Sequence, residues 1–257
     1  MNTNPVPTAL IVIVLASVVA EALWSRWRRR GVYSGKETAS NAFMMLVSQV
    51  LKPLSLAWTL FVLSLLEPVQ TFSLPDTGWA FLLTFVVTDF VYYWYHRLSH
   101  EMPVLWSMHH THHSSPWMNL TTAVRLNWVA KFLIPLVFLP LVLLGMSPAH
   151  VSLSLALGLL FQFFLHTEAV GKLGWFEGKL FNTPSAHRVH HGSNREYIDK
   201  NYAGVFIVWD RLFGTYQAEQ APVRYGVTSG FMGHNPIKAQ LYPLLRYLRG
   251  RQRTELR

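Results

Sequence analysis

The stretch WAFLLTFVVTDFVYYWYHRLSH, residues 79–100, joins an apolar segment to a pair of histidines. Residues 79–95 carry a single charge, Asp89, and are nearly as long as a membrane-spanning helix, which needs about 20 apolar residues. His96 and His100 are four positions apart, so they share one face if the helix continues past the apolar segment. The stretch therefore predicts a membrane helix that ends in two imidazoles placed side by side.

The composition of the whole chain is typical of a membrane protein. Of 257 residues, 51% are hydrophobic and 14% are charged, whereas a soluble domain has about 25% charged residues. The chain has no cysteine, which excludes disulfides, iron–sulfur clusters and thiolate zinc sites. Its net charge is +9, from 22 Lys+Arg and 13 Asp+Glu. On so apolar a chain this charge indicates basic cytoplasmic loops and an attraction to anionic lipid. It does not indicate a nucleic-acid partner.

Five apolar segments are candidates for membrane spans. The second is interrupted by Lys52-Pro53, which would kink it or confine its first half to the interface, and the fifth is only just long enough. The segments are Pro7–Trp24, Ala42–Leu66, Trp79–Tyr95, Trp128–Met146 and Val151–Leu165. We therefore predict an all-α fold, an integral membrane helical bundle with about four or five transmembrane helices.

The distribution of lysine and arginine predicts the orientation of these spans. The first segment is followed at once by Arg26 and by the cluster 28–30, so it is typical of an anchor with its N-terminus outside. With five spans, the loop 99–127 and everything after Thr167 would be cytoplasmic. The outer segments, which contain no Lys or Arg, would be 1–6, 67–78 and 146–150.

Two further histidine motifs repeat a spacing that places side chains on one helix face. HHTHH at 109–113 and HRVHH at 187–191 each have histidines at positions i, i+3 and i+4. Each triplet can give its nitrogens to one metal or divide them between two. With the first pair and His166 they provide enough imidazoles for two metal ions with four or five ligands each, and neutral imidazole suits iron, zinc, copper and nickel. The candidate ligands are His96, His100, His109, His112, His113, His166, His187, His190 and His191.

The remaining histidines and the carboxylate within the third span have separate interpretations. His110 lies off the shared face of its motif, and His150 and His234 are typical of ordinary surface or turn residues. Asp89 lies seven positions before His96 and so on the same face, and a carboxylate within a membrane span usually has a partner. We predict that Asp89 orients a ligand histidine and count it with the catalytic residues. The alternative is a capped or water-solvated carboxylate.

Four polar residues near the motifs are candidates for supporting roles. Glu101 is counted with the catalytic residues, either as a metal ligand or as a group that contacts a metal ligand. The alternative is that Glu101 is a solvated charge at the membrane interface. Asn201 and Asp210 are predicted to hydrogen-bond ligand imidazoles, because a metal site must fix their tautomers, although Asp210 could equally be a helix cap. Arg125 is the candidate substrate-binding residue, which would pair with a phosphate or merely flank the fourth span.

In this order and on this span pattern, HRLSH, HHTHH and HRVHH resemble the fatty acid hydroxylase superfamily (sterol desaturase-like), over about residues 78–220. The surrounding segments YYWYHRLSHE, HHTHHSS, FFLHTE and NTPSAHRVHHGSNREYIDKNYAGVFIVWDRLFGTY are similar to its alkylglycerol monooxygenase branch. The resemblance carries the candidate histidines over as metal residues, with Glu101 at an acidic position and His166 in the HTE element. Gln162, four positions before His166, stands where the fatty acid hydroxylase branch has a histidine, and it would supply an amide oxygen, hold a water or merely pack.

The resemblance implies an enzyme with two irons that uses O2 and an external electron donor to hydroxylate a C–H bond of a membrane lipid. In the alkylglycerol branch the bond is at the ether-linked carbon, and the reductant is tetrahydropterin. The expected architecture has anchor helices in 1–77, the catalytic domain with a cytoplasmic helical cap in 78–220, and a basic cytoplasmic tail in 221–257. The expected location is the bacterial inner (cytoplasmic) membrane, with the active site on the cytoplasmic side.

Other functions fit parts of the same pattern. A lipid or sterol desaturase would use the same metal site, because the outcome after C–H abstraction depends on substrate geometry. A metal-binding transporter or sensor would need a continuous polar path through the spans, where only isolated polar residues such as Asp89 and Gln162 are found. No Rossmann or Walker motif and no Ser/His/Asp hydrolase motif is evident, so electrons would come from a partner protein or a soluble reductant.

Overall fold

The computed structural model describes residues 5–250, with side chains from residue 9 onward, and this range is helical. Three short 3-10 turns separate some of the helices, and the extended pairings within 5–250 are two isolated β-bridges, Phe181 with Phe206 and Gly192 with Tyr225. The prediction of an all-α fold is confirmed. The α-helices are α1 (Pro5–Trp27), α2 (Gly35–Ser64), α3 (Gly78–Glu101), α4 (Pro103–His113), α5 (Ala130–Leu143), α6 (Pro148–Phe163), α7 (Pro184–His190), α8 (Val208–Leu212) and α9 (Pro236–Leu248).

Two helical stretches of the described chain are long and apolar enough to cross a membrane, Ala9–Trp27 and Gly35–Val69. Only 11% and 17% of their apolar windows are buried by the rest of the protein, so most of their surface faces outward. The helices α5 and α6 are apolar but have 14 and 16 residues, fewer than the roughly 20 that span a hydrocarbon core. Two helices thus have both the length and the apolar composition for a membrane span, and the total of four or five spans stays a prediction.

The Lys52-Pro53 pair divides α2 into two halves of different character, although the helix continues through it. The first half buries polar groups such as Glu37 and Asn41 against the rest of the protein. The second half carries outward-facing apolar side chains, among them Leu54 and Leu60. The first half of α2 thus contributes buried polar contacts, and the second half turns Leu54 and Leu60 outward while its Leu63 is buried in an apolar core.

Pro103 decides how the first two histidine motifs meet. Proline is favoured at the first position of a helix and disfavours helical backbone at the residue before it, so α3 ends at Glu101 and α4 begins at Pro103. Met102 between them is extended, with φ −95° and ψ 124°. Because α4 then packs against α3, HRLSH and HHTHH come together.

The third motif lies in a segment that folds over the ends of α3, α4 and α6. Thr183 caps α7 by accepting a hydrogen bond from the backbone N–H of Ala186, and all of α7 is buried. Asn182 ties this start of the segment to its later part, because its amide donates to the carbonyl of Ala203 at 2.7 Å. A separate apolar core, away from the histidine motifs, lies where α2, α5 and α6 meet. Its buried members are Leu63, Phe138, Leu141, Val142, Met146 and Val151.

The chain after residue 221 does not begin as a detached tail. Its helix α9 packs against α4, and Thr111 of α4 donates a hydrogen bond to the carbonyl of Ala239. Gln240 is also buried and accepts a hydrogen bond from the backbone N–H of Trp128. The end of the predicted basic tail, 251–257, and the start of the first outer segment, 1–4, lie outside the described residues.

Candidate metal centre

Five imidazoles from three separate helices converge into one group. The Nε2 atom of His109 on α4 lies 3.0 Å from that of His96 on α3 and 3.1 Å from that of His113. His100, one turn after His96, and His190 on α7 complete the set, and one ligand atom from each of the five lies within 4.8 Å of all the others. We call these residues the five-histidine group.

A second group of four imidazoles lies beside the first. His166 follows the end of α6, and its Nε2 atom is 3.2 Å from that of His112 and 3.0 Å from that of His187. His191 is the fourth member, and the four ligand atoms again lie within 4.8 Å of one another. We call these residues the four-histidine group. All its members are buried.

The two HxxHH motifs each contribute to both groups. In the second motif, His112 belongs to the four-histidine group and the adjacent His113 to the five-histidine group. In the third motif, His191 belongs to the four-histidine group and the adjacent His190 to the five-histidine group. The groups are therefore in contact, with the rings of His113 and His191 stacked at a centroid distance of 4.3 Å. Of the two arrangements left open by the spacing, the structure has the one in which each triplet is divided between two groups.

The donor atoms have the arrangement of metal ligands. His166 donates through Nδ1 to a carbonyl, so its Nε2 has one lone pair, yet two other Nε2 atoms face it. One lone pair can accept only one proton, whereas a cation between the rings would satisfy all three. Nitrogens bound at about 2.1 Å to one ion and at right angles are about 3.0 Å apart, close to the 3.0–3.2 Å found here. The residues present therefore fit a pair of metal ions.

These imidazoles are held in the neutral form. Burial lowers the pKa of the six group members in the second and third motifs well below 6.5, and the charges of neighbouring imidazoles lower it further. These are His109, His112, His113, His187, His190 and His191. Neutral imidazole is the form that binds a metal. The Nε2 atoms of His190 and His191 are also buried without a hydrogen-bond partner among the described residues. Such atoms are costly to bury unless something coordinates them.

A short loop fixes the orientation of two rings in the five-histidine group. The Nδ1 atom of His96 donates to the Tyr202 carbonyl at 2.7 Å, and that of His190 donates to the Lys200 carbonyl at 3.1 Å. Because a carbonyl oxygen can only accept, the proton is on Nδ1 and the Nε2 lone pair is free for a metal. The Tyr202 and Lys200 contacts were not found from the sequence, since any residue can offer a backbone carbonyl.

Asn201 and Asp210 support this loop and do not touch an imidazole, contrary to the prediction. Asn201 has φ +58°, a conformation that asparagine tolerates better than most residues, and its amide donates to the carbonyls of Ala186 and Gln217. The Asp210 carboxylate accepts hydrogen bonds from the backbone N–H groups of Tyr202 at 2.7 Å and of Ala203 at 2.8 Å. Neither interaction is a helix cap. Both residues act on the histidines through the backbone.

Asp89 does not orient a histidine either. Its carboxylate accepts from the backbone N–H groups of Val205 and Phe206 and from the indole of Trp209, at 2.8–3.0 Å. The seven-residue spacing does place Asp89 on the same helix as His96, but the ring of His96 turns to the Tyr202 carbonyl instead. A carboxylate in this helix was expected to have a partner, and that partner is the segment 205–209. Asp89 anchors this segment to α3.

Two predicted site residues lie outside both histidine groups. Glu101 is exposed and forms an ion pair with Arg97 at 2.8 Å. Arg125 is 1% exposed and is paired with Glu37 at 2.8 Å. Its guanidinium also donates to Asn41, to Ser114 and to a backbone carbonyl. Since protein groups take four of its hydrogen bonds, Arg125 holds α2 to the loop after α4 and is not available to a phosphate.

The other singled-out residues also have protein partners. Gln162 accepts a hydrogen bond from the hydroxyl of Tyr92 at 2.9 Å, while its backbone carbonyl takes the Nδ1 proton of His166. His110 is buried against Trp106 and belongs to neither histidine group. His150 pairs with Asp76 and His234 pairs with Glu37.

The two histidine groups are reached from two sides. A cavity of about 290 Å³ extends from His109, His112 and His166 between α1, α2 and α6, and most of its wall is apolar. A pocket of about 40 Å³ reaches the other side, where His113 and His190 line it. A reactant with an apolar chain and a second, small reactant could therefore approach the same centre from different directions.

Comparison with known sequences agrees with this geometry. The sequence model of the family described as Fatty acid hydroxylase matches residues 81–215, just over half of the chain, and this range contains all the members of both histidine groups. The chain belongs to the fatty acid hydroxylase family. The resemblance drawn from the three histidine motifs is thus confirmed, and the fatty acid hydroxylase segment includes Asp89 and Asp210 as well.

The curated proteins that are similar to this chain include alkylglycerol monooxygenases. The chain is 45% identical to that of Homo sapiens over 179 residues, covering 69% of this chain and 40% of that protein. It is 46% identical to that of Danio rerio over 153 residues, covering 60% and 34%. Ornithine lipid hydroxylase OlsE of Rhizobium tropici is 26% identical over 226 residues, covering 82% and 68%. The chain thus spans about two fifths of the alkylglycerol monooxygenases or less. No solved structure matches it.

Proposed function

We propose that this fatty acid hydroxylase family member is a membrane-bound di-iron monooxygenase that hydroxylates a C–H bond of a lipid. The observation that carries the proposal is that two adjacent groups of buried, neutral imidazoles border one largely apolar cavity. The names of its relatives, alkylglycerol monooxygenase and ornithine lipid hydroxylase, support a lipid as the substrate. In the former case the ether-linked carbon of an alkylglycerol lipid would be the reacting atom.

The five-histidine group would hold one iron and the four-histidine group the other. Bound iron supplies the activation of dioxygen, which amino-acid side chains cannot perform. In the net reaction one oxygen atom enters the C–H bond and the other is reduced to water, so a donor must provide two electrons and two protons. We propose tetrahydropterin or an electron-donor protein for this role, and the small pocket beside His113 and His190 is the side from which it would act.

The protein's own groups prepare the site for this reaction. The carbonyls of Lys200, Tyr202 and Gln162 hold the proton on Nδ1 of their histidine partners and leave Nε2 for the metal. Burial of the rings excludes water, which would otherwise compete for the reactive centre. Asp89 and Asp210 hold the covering segment in place through backbone N–H groups. Glu101 has no part in this proposal.

The proposed setting is the bacterial inner membrane, with α1 and α2 as spans and the apolar helices α3, α5 and α6 completing a bundle of about four or five membrane helices. The cap that carries HRVHH would then lie on the cytoplasmic side. The absence of lysine and arginine from 67–78 and from 146–150 supports this orientation. Residues 1–77 would serve as the anchor, 78–220 as the catalytic domain and 221–257 as a basic cytoplasmic segment.

The activity is tested with purified, iron-loaded protein in nanodiscs. Oxygen uptake is measured on addition of an alkylglycerol and a tetrahydropterin under ¹⁸O2, and the lipid is analysed by mass spectrometry. The proposal predicts a product that carries one labelled oxygen, or the aldehyde and glycerol fragments that such a product releases. A product that has lost two hydrogens and gained no oxygen would identify a desaturase instead. His190→Ala should abolish the product, whereas His150→Ala, outside both groups, should not.

A further inference from the structure

The large cavity beside the metal centre contains polar side chains that the proposed reaction does not use, among them Lys131 and Ser48. Its wall includes His109, His112 and His166 at the centre, and Lys131 and Ser48 elsewhere. Lys131 is the second residue of α5, and Ser48 lies in the first half of α2. The cavity therefore joins the histidine groups to a lysine ammonium group and a hydroxyl.

Lys131 is a partly buried cation without a carboxylate partner among the described residues. None of the ion pairs within 5–250 includes it. A second cation, Lys52, lies near enough to repel it. Two like charges beside an apolar surface raise the local positive potential, and a partly buried ammonium group favours an anion beside it.

Ser48 provides a second, independent indication of a polar ligand. The residue is 9% exposed and lines the same cavity, and its Oγ atom has no hydrogen-bond partner in the described structure. Buried hydroxyl groups are nearly always satisfied, and a ligand oxygen is the partner that such an atom would meet in a cavity. A serine hydroxyl can donate one hydrogen bond to an anionic oxygen.

We propose that Lys131 and Ser48 bind a phosphate group on the headgroup of the lipid substrate, inside the cavity that borders the metal centre. This inference rests on the proposed function, because it assigns a substrate class to the same site. The apolar chain of that lipid would lie along the other walls of the cavity, toward the outward-facing apolar surfaces of α1 and α2.

The size of the cavity limits where on the lipid the reaction can occur. About 290 Å³ is at the lower end of the roughly 300–1,000 Å³ found for small-molecule pockets, so it holds a headgroup and the first part of a chain. Since the cavity wall contains both Lys131 and His112, the oxidised carbon would be near the headgroup and not at the far end of the chain. The alternative role for Lys131, anchoring at the membrane interface, predicts no dependence on the lipid headgroup.

The test compares two lipids of equal chain length, an uncharged alkylglycerol and its 3-phosphate, for binding to the iron-loaded protein in nanodiscs without reductant. Lys131→Met should weaken binding of the phosphate lipid by about 10- to 100-fold, the usual effect of losing a charge-assisted contact, and leave the uncharged lipid unchanged. Lys131→Arg should retain most of the affinity, and Ser48→Ala should lose less than Lys131→Met. Lys36→Met, an exposed lysine on the same helix as Ser48, is the matched control.

Each outcome separates the binding site from the activity. Equal losses for both lipids, or no loss for either, would overturn the headgroup assignment while leaving hydroxylation intact. If the phosphate lipid binds through Lys131 but no oxygenated product forms, the proposed function is wrong and the phosphate-binding site is still supported. Soluble glycerol 3-phosphate is the third arm. If it binds as tightly as the phosphate lipid, the site takes a free phosphate ester and the lipid assignment is wrong. In turnover, Lys131→Met should raise KM for the phosphate lipid and leave kcat nearly unchanged.

Discussion

Replacement of Asp210 tests whether the loop behind the five-histidine group supports the metal through backbone carbonyls. Its carboxylate accepts from the buried N–H groups of Tyr202 and Ala203 and from the hydroxyl of Thr215, at 2.7–2.8 Å. Asp210→Ala leaves the two backbone N–H donors unpaired, at about 1–3 kcal/mol for each buried group, so we expect a loss of roughly 2–6 kcal/mol in unfolding free energy. Burial raises the pKa of Asp210 to about 6, so the carboxylate is ionised at neutral pH.

The effect on metal binding should be selective. The Tyr202 and Lys200 carbonyls support two rings of the five-histidine group and none of the four-histidine group. Loss of a group that orients metal ligands costs about 10- to 100-fold in metal affinity, and only one of the two iron-binding steps should change by this factor.

Asp210→Asn keeps the side-chain shape and one acceptor oxygen, so it should give a smaller loss of the same kind. Iron titrations of the metal-free protein, followed by calorimetry, measure both steps. Asp76→Asn, at an exposed site, is the control. Full retention of both affinities in folded Asp210→Ala protein, or equal weakening of both steps, would refute the reasoning.

Three further changes have effects that follow from the structure. Arg125→Met removes the guanidinium from buried Glu37 and leaves it only His234 as a partner, so thermal unfolding in detergent should show a loss of about 3–5 kcal/mol. Arg125→Lys should restore little because lysine cannot make the same hydrogen bonds. Gly204→Ala would place a Cβ atom 2.8 Å from Asp89 Oδ1 and should cost about 1–3 kcal/mol; an unchanged melting temperature would contradict the packing described. Burial lowers the pKa of His109, His113 and His191, so below about pH 6.5 the unfolded chain binds more protons than the folded one. The metal-free protein should therefore lose stability as the pH falls from 7.5 to 5, which melting curves across that range will show or refute.

The sequence was most informative where its spacing is set by helix geometry. Histidines at i, i+3 and i+4 share a helix face whatever the surroundings are, so the groups that include His109 and His187 could be expected from the chain alone. The division of each HxxHH motif between two groups could not, because it depends on how α4 and α7 face each other. Pro103 gives a local reason for the close approach of the first two motifs, but the angle between α3 and α4 is set by packing.

Partners of polar residues were predicted less well. Asp89 and Asp210 were expected beside histidines, and both instead accept hydrogen bonds from backbone N–H groups of the covering segment. Arg125 was expected at the substrate and is paired with Glu37, more than eighty residues earlier in the chain. A carboxylate or guanidinium signals that it needs a partner, but the sequence does not say which distant group will be brought to it. The backbone carbonyl of Tyr202 carries no sequence signal at all.

The most direct test of the paired metal site is the iron content of the purified protein, measured by mass spectrometry of the metal against protein concentration. The two histidine groups predict about two irons per chain in the wild type and in His150→Ala, whose imidazole lies outside both groups. His109→Ala and His187→Ala should each lower the count, since each removes a member of a different group. A wild-type protein that retains its fold after iron loading but binds none, or a His150→Ala variant that loses as much iron as the other two, would contradict the paired metal centre.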